Sequence, residues 1–308
     1  MKVYAENPIT YRALYDSPIL RVDDYHCRRS RSGPAAEEHS SINGIVLMRH
    51  GAFCKHFGRR NVTADVNQAV FFSKGSTYRV SHPADCGDRG AVFMPSPAVL
   101  NDLMREYDSS IDDHPELSFP FVTGPCDSGV FWRHHELVQR LTAAESIPLD
   151  PLWAEVTALQ LIADVLEAAF ARHGRRVPQI RRRNGTDADH ADRAEAVKTY
   201  LSRRLGERIT LDAVARAVYV SPFHLARLFQ QQTGMPVHRY LTRLRLRASL
   251  GRLAEGANNL TALALDLGFT GHSHFADAFR REFGCTPSAA RRNTGRRALR
   301  EMSKNLTV

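Results

Sequence analysis

Two hydrophobic periods divide the chain. The segments INGIVLMRHGAFCKHF (42–57), AVFFSKG (69–75), TYRVSH (77–82) and GAVFMP (90–95) alternate apolar and polar positions and are separated by turn residues. This two-residue period predicts half-buried strands of an all-β unit. Beyond it the period lengthens to that of a helix. VFWRHHELVQRLTAA (130–144) and PLWAEVTALQLIADVLEAAFARHG (151–174) read as two helices. In the second, Leu152, Val156, Leu159, Ala163, Leu166 and Phe170 recur at alternating steps of four and three, a heptad seam. Such a seam either packs the helix on its own strands or pairs it with the same helix of a second subunit. RRVPQIRRRNGTDADHADR (175–193) is polar, charged and broken by Pro and Gly, so it reads as a linker, with Arg181 to Arg183 adding attraction for phosphates.

After the linker the helical period is strong but interrupted. In ITLDAVARAVYVSPFHLARLFQQQTG (209–234), Leu211, Val214, Ala215 and Val218 form one stripe, and Leu225, Leu228 and Phe229 form another. Thr210 and Ser221 are placed to cap the two helices, Pro222 occupies a first helical turn, and Gly234 with Pro236 ends the unit. A tight break serves a second helix that must leave steeply and present a face outward, here Phe223, Ala226, Arg227 and Gln230. Two short helices so joined have the form of a helix-turn-helix, and equally of a plain helical hairpin.

The punctuation recurs in LTALALDLGFTGHSHFADAFRREFGCTP (260–287), where Ala264, Leu267 and Phe269 mark the apolar stripe and Gly268 the turn. Gly271 precedes Phe279 by eight residues, as Ser221 precedes Phe229, and Gly284 follows Phe279 by five, as Gly234 follows Phe229. This is an internal repeat. Between the copies, residues 236–254 read as one helix of about 28 Å. Successive major-groove faces on one side of B-DNA lie about 34 Å apart, so such a helix suits two reading heads on adjacent turns.

The repeat, its linking helix, SPFHLARLF (221–229) and GFTGHSHFADAFRREFGCTP (268–287) resemble the AraC/XylS family of bacterial transcription regulators. Residues 17–100, most closely ADVNQAVFFSKGSTYRVSHP (64–83), resemble the cupin-like β-barrel that many members carry. Two departures stand out: Tyr219 replaces the turn glycine found as Gly268 in the second copy, and Ala290 replaces the usual Tyr after Thr-Pro. The resemblance implies a two-domain α+β chain: a cupin-like sensing and dimerisation domain (1–174), a linker (175–192), an all-α double helix-turn-helix (193–292) and a basic tail (293–308). It implies double-stranded DNA as partner, a contact with RNA polymerase, a small-molecule effector, a homodimer and, as the favoured outcome, activation. The DNA-facing residues are then Ser221, Pro222, Phe223, His224, Ala226, Arg227 and Gln230 in the first copy. In the second they are His272, Ser273, His274, Asp277 and Arg280. Arg227 suits guanine or a phosphate. Asp277 either accepts from cytosine or positions Arg280 or Arg281.

Charge agrees. The chain carries a formal +9, and residues 191–308 hold 20 basic and 9 acidic side chains against 22 and 24 in residues 1–190. A basic excess confined to the repeat suits phosphate neutralisation. No apolar run approaches the roughly 18 residues of a membrane span, and no secretory signal is recognisable. The five scattered cysteines suit a reducing cytoplasm.

Other chemistry is expected to be absent. No His-x-His accompanies His39, His50, His56 and His82, and Glu37 and Glu38 lie in a loop-like stretch, so no metal, cofactor or cupin enzyme is expected. A DNA-repair methyl acceptor would want a thiolate and a four-cysteine zinc cluster, but Cys27, Cys54, Cys86 and Cys126 have no close spacing. There is no P-loop, Gly-x-Ser-x-Gly or Gly-x-Gly-x-x-Gly. If the barrel holds an effector, Phe72, Tyr78, Arg79 and His82 are wall candidates, and strand alternation allows at most half of them. Arg79 suits a carboxylate ligand or a structural ion pair.

Overall fold

The computed structural model describes residues 9–29, 33–58, 60–83, 87–108, 119–144, 149–173 and 185–294. Residues 175–184 of the expected linker, Cys86 and residues 295–308 of the expected tail lie outside them. The chain divides into two units, residues 1–203 and 204–308. No helix among the described residues is long and apolar enough to cross a membrane.

Among its described residues the first unit has ten strands: β1 (Ile9–Asp16), β2 (Leu20–Cys27), β3 (Glu38–His39), β4 (Gly44–His50), β5 (Phe53–Phe57), β6 (Arg60–Ala64), β7 (Gln68–Phe72), β8 (Thr77–Ser81), β9 (Asp88–Pro95) and β10 (Thr123–Pro125). They form two antiparallel sheets, ordered β1-β2-β9-β4-β7-β10 and β3-β8-β5-β6, and from β4 onward the chain crosses between them at β4–β5, β6–β7, β7–β8 and β8–β9. The run 42–57 becomes two strands because Gly51 adopts φ +70 and lies so close to the carbonyl oxygen of Gly87 that a Cβ would meet it at 2.1 Å. That contact draws the β4–β5 turn onto the start of β9. Ile45, Leu47, Phe71 and Phe93 fill the core behind these strands.

Three helices follow among the described residues before position 174: α1 (Pro97–Arg105), α2 (Ser128–Ala143) and α3 (Pro151–His173). Asp127 caps α2 by accepting from the backbone N–H of Val130. The heptad seam of α3 is divided by the structure. Leu166 and Phe170 are buried within the unit, Leu159 and Ala163 are half-buried, and Leu152 and Val156 are 67% and 57% exposed. The buried face of the first two turns is formed instead by Ala154 and Ala158. A straight helix drifts about 20° per heptad from a 3.5-residue repeat, so one seam cannot face the same neighbour throughout.

The expected boundary at 193 moves. Residues 185–192 are the first turns of α4 (Gly185–Ser202). This helix is anchored on the first unit: the Thr63 N–H donates to Glu195 (2.7 Å), Lys198 donates to Gln68 (3.1 Å), and Arg203 donates to the Pro83 carbonyl (2.5 Å). The side chains that anchor this helix, Glu195, Lys198 and Arg203, all follow the expected linker.

The second unit is all-helical: α5 (Leu211–Ala217), α6 (Pro222–Thr233), α7 (Val237–Ala254), α8 (Leu260–Asp266), α9 (His272–Phe283) and α10 (Pro287–Thr294). Val214, Ala215, Leu225, Phe229, Leu250, Phe275 and Phe279 are fully buried at its centre. Leu211, expected on the buried stripe, is exposed at the first position of α5. Phe283 is only half-buried, closing on Phe279 at 4.7 Å between ring centroids.

Candidate nucleic-acid interface

Each helix pair is shaped by its punctuation. The Thr210 hydroxyl accepts from Ala213 N at the start of α5, and the Ser221 hydroxyl accepts from His224 N at the start of α6, with Pro222 in the first turn. Gly234 and Gly284 end α6 and α9 in the left-handed region, φ +78 and +73. The turn residue itself is Tyr219 (φ +57) in the first copy and Gly268 (φ +77) in the second. Both copies demand positive φ at the same place, and only one supplies glycine.

With the apolar stripes buried, the remaining faces are fixed. On α6, Ser221, Pro222, Phe223, His224, Arg227 and Gln230 are exposed, Phe223 to 80%. Ala226, expected to face outward, is half-buried and lines a groove with Val214, Gln230, Leu241 and Arg245. On α9, His272, Ser273, His274, Asp277 and Arg280 are exposed. His274 is tied to the margin: Thr270 Oγ1 lies 3.1 Å from its Nδ1, and the ring meets Phe269 edge-on. Asp277 makes no ion pair among the described residues, and the Arg281 guanidinium donates to its backbone carbonyl at 3.3 Å.

Buried cations hold these helices in place, and the sequence did not reveal them. Arg247 of α7 is fully buried. It lies 4.0 Å from Glu282 of α9, which also receives Arg243 at 2.8 Å. Arg245 donates to three carbonyls, those of Leu205 (2.7 Å), Gly268 (2.9 Å) and Glu207 (2.7 Å), and burial lowers its pKa. In the sequence all three arginines are interleaved with the apolar positions of this helix. A five-donor guanidinium can satisfy several carbonyls at once.

In the first unit, the proposed wall residues separate. The Phe72 and Tyr78 rings meet at 4.9 Å, and both lie under Lys55 Nζ, at 3.9 and 5.2 Å. Lys55 is buried, donates to the Phe71 carbonyl at 2.8 Å, and is brought down to about 8 by desolvation. Arg79 is exposed on the opposite strand face and stands 4.0 Å from Glu37. His82 is buried and committed to Asp88, 2.7 Å away, and to Cys27. Burial depresses its basicity, but hydrogen bonds to Asp88 and Cys27 raise it to about 9. Alternation therefore separates Arg79 from the Phe72–Tyr78 pair, whereas His82, on the parity of Tyr78, is removed by its commitment to Asp88 and Cys27.

Comparison with known proteins bears on both units. A helix-turn-helix domain family matches residues 214–293. The HTH-type transcriptional activator RhaS of Shigella dysenteriae serotype 1 is 34% identical over 260 residues, spanning 82% of this chain and 85% of that protein. RhaS of Escherichia coli O6:H1 gives the same figures. Among solved structures, a transcriptional regulator with an AraC-type DNA-binding domain from Chromobacterium violaceum is 26% identical, covers 34% of this chain and 93% of its own, and has a TM-score of 0.32. Apo ToxT of Vibrio cholerae is 12% identical, covers 90% of this chain and 98% of its own, and has a TM-score of 0.40.

Proposed function

The chain belongs to the AraC/XylS family of DNA-binding transcription regulators, and on that footing we propose that α6 and α9 read two adjacent major-groove segments of one operator. The supporting observation is the pair of exposed helix faces joined by α7, whose 18 residues span about 27 Å. Phe223 and Arg227 read the first segment, and Ser273 and Asp277 stand at the matching positions of the second. His224, Gln230, His272 and Arg280 flank them, and the helix N-termini at Ser221 and Gly271 offer backbone N–H groups to phosphates.

The relatives are named transcriptional activators, and we assign activation, through contact with RNA polymerase, to this chain as well. Pairing of two copies falls to the exposed part of α3, Leu152 and Val156. An effector, if one is held by the sheets, meets Phe72, Tyr78 and Lys55. DNA as partner places the chain in the cytoplasm.

The test begins by mapping bound DNA genome-wide and taking the common site. Arg227→Ala is then expected to cost about 1–3 kcal/mol on that site and to relax one base position. Equal loss on every sequence, with a shallower salt dependence, would reduce Arg227 to a phosphate contact.

A further inference from the structure

Among the described residues, one group of side chains has the donors of a metal site: Cys27, His82 and Asp88. Cys27 ends β2 and Asp88 begins β9, and the two are direct partners in the antiparallel ladder. Their side chains therefore share one face. His82 follows β8, a strand of the other sheet. Exposure of the three is 1%, 2% and 1%. One ligand atom from each lies within 4.8 Å of the other two. Gly87 (φ +67) makes the approach possible, since a Cβ there would stand 2.4 Å from the Cys27 carbonyl oxygen.

A buried histidine paired with a carboxylate needs no ion. The second oxygen of the carboxylate is what remains unexplained. Asp88 Oδ2 lies 2.7 Å from His82 Nδ1, but Oδ1 is buried with no hydrogen-bond partner among the described residues. Tyr25 also makes a side-chain hydrogen-bonding contact with Asp88, but its single hydroxyl proton is directed to Met48 Sδ at 2.7 Å and does not satisfy Oδ1. Buried polar atoms are rarely left this way, and a bare carboxylate oxygen beside a thiol and an imidazole is a place for a cation.

We infer that Cys27, His82 and Asp88 bind one divalent transition-metal ion of the zinc class between the two sheets of the first unit. The donor set selects the class: a soft sulfur, an imidazole and a carboxylate suit zinc, whereas magnesium and calcium want oxygen alone. The geometry agrees. Bonds of about 2.3 Å to sulfur and 2.05 Å to nitrogen, at a tetrahedral angle, separate those atoms by about 3.6 Å. Cys27 Sγ lies 3.6 Å from His82 Nε2 and 3.7 Å from Nδ1. Charge agrees too: a dication with one thiolate, one carboxylate and a neutral imidazole is a neutral buried cluster. Binding releases the thiol proton and one imidazole proton to solvent. The fourth position is left to water or an added ligand.

Occupancy would clamp the end of β8 to β2 and β9. The next residue, Pro83, accepts from Arg203, the last residue of the first unit. The clamp thus acts on the point where the chain leaves that unit for the DNA-binding helices. This inference does not rest on how α6 and α9 read DNA.

The experiment uses the full-length chain without a histidine tag, stripped with EDTA and titrated with cobalt(II), then zinc. The expected result is one equivalent of cobalt, with thiolate charge-transfer and tetrahedral d–d absorption, displaced by zinc. Cys27→Ser and Asp88→Asn should each weaken binding by roughly 100-fold or more. A chain with Cys54, Cys86, Cys126 and Cys285 all changed to Ser should keep the full spectrum, so the result stands even if Cys27→Ser folds poorly. No cobalt or zinc bound to the wild-type chain, or a spectrum lost from the Cys27-only chain, overturns the site. Zinc bound without any change in operator affinity overturns the relay through Pro83 and leaves the site.

Discussion

Gly268→Ala is expected to destabilise the DNA-binding unit far beyond the usual cost of one added methyl group. Gly268 sits at φ +77, where an L-residue costs about 1 kcal/mol more than glycine. The new Cβ would stand 2.6 Å from Nη2 and 2.8 Å from Cζ of Arg245, so the guanidinium must leave. It then gives up its bonds to the carbonyls of Leu205, Gly268 and Glu207. Arg245 is half-buried and water replaces part of the loss, so about 1 kcal/mol per bond is a fair figure. The sum is about 4 kcal/mol, a large share of the roughly 5–15 kcal/mol that holds a domain together. Urea unfolding by far-ultraviolet circular dichroism measures it. Trp132 and Trp153 are the chain's two tryptophans and both lie in the first unit, so their fluorescence transition should not move. Because Gly268→Ala acts through Arg245, the double variant with Arg245→Ala should cost well under the sum of the single ones. Additivity within about 0.5 kcal/mol, or a single-variant cost below about 1 kcal/mol, refutes the reasoning. Tyr219→Gly is the control at the equivalent turn. The side chain there is 90% exposed, so relief of the positive φ and the flexibility of glycine should nearly cancel.

Three other outcomes are expected. Asp277→Ala should alter base preference at one position of the downstream half-site; unchanged preference with tighter binding to all DNA would show the aspartate only repels. Leu152→Asp with Val156→Asp should shift the chain to monomer in analytical ultracentrifugation while its unfolding midpoint holds, since both side chains are exposed in the single copy; a persistent dimer would place pairing elsewhere. Burial first, and then Arg49, hold His135 at about 4, and burial holds His134 well below its ordinary value. The unfolded chain therefore takes up these protons first, near pH 6.5, and stability is lost as pH falls from there towards 4, by about 3 kcal/mol for His135 alone. Tryptophan-detected urea midpoints should fall across that window, and less so in His135→Gln; equal slopes in both chains would refute it.

The parts legible in the sequence are those decided within a few residues. Ser221, Pro222, Gly234 and Gly284 act on their own helix ends, so spacing alone located α6 and α9. Tyr219 was recognisable as a strained turn because the repeat supplied Gly268 for comparison. Properties made by distant partners were hidden. Nothing in the sequence marks Lys55 or Arg247 as buried, yet one is held by the Phe71 carbonyl and aromatic rings and the other lies beside Glu282. Cys27, His82 and Asp88 are scattered over 62 positions and meet only through strand register and the close approach at Gly87. The short strands β3 and β10 carry too few residues to show a period.

The two copies are similar in punctuation and different in how they are held, and under the proposed reading of DNA by α6 and α9 that difference bears on readout. On α6, the buried ring of Phe229 meets Tyr240 of α7 edge-on at 5.3 Å, an apolar contact with little dependence on charge. On α9, the tie to α7 also includes Glu282 between Arg243 and the buried Arg247. An ion pair of this kind adds little net stability, because desolvation offsets the attraction, but it tolerates one geometry and punishes the loss of either partner. Arg245 adds a second polar tie, from α7 to the turn that precedes α9. The second head is therefore set in orientation by directional bonds, on the face that presents Ser273 and Asp277. The first is set mainly by packing, on the face that presents Phe223 and Arg227. A long cation can adjust its reach to a base or a phosphate, whereas a short carboxylate cannot, and it repels DNA unless its one acceptor geometry is met. The helix that carries the aspartate is the one whose orientation Arg243, Arg245 and the buried Arg247 fix.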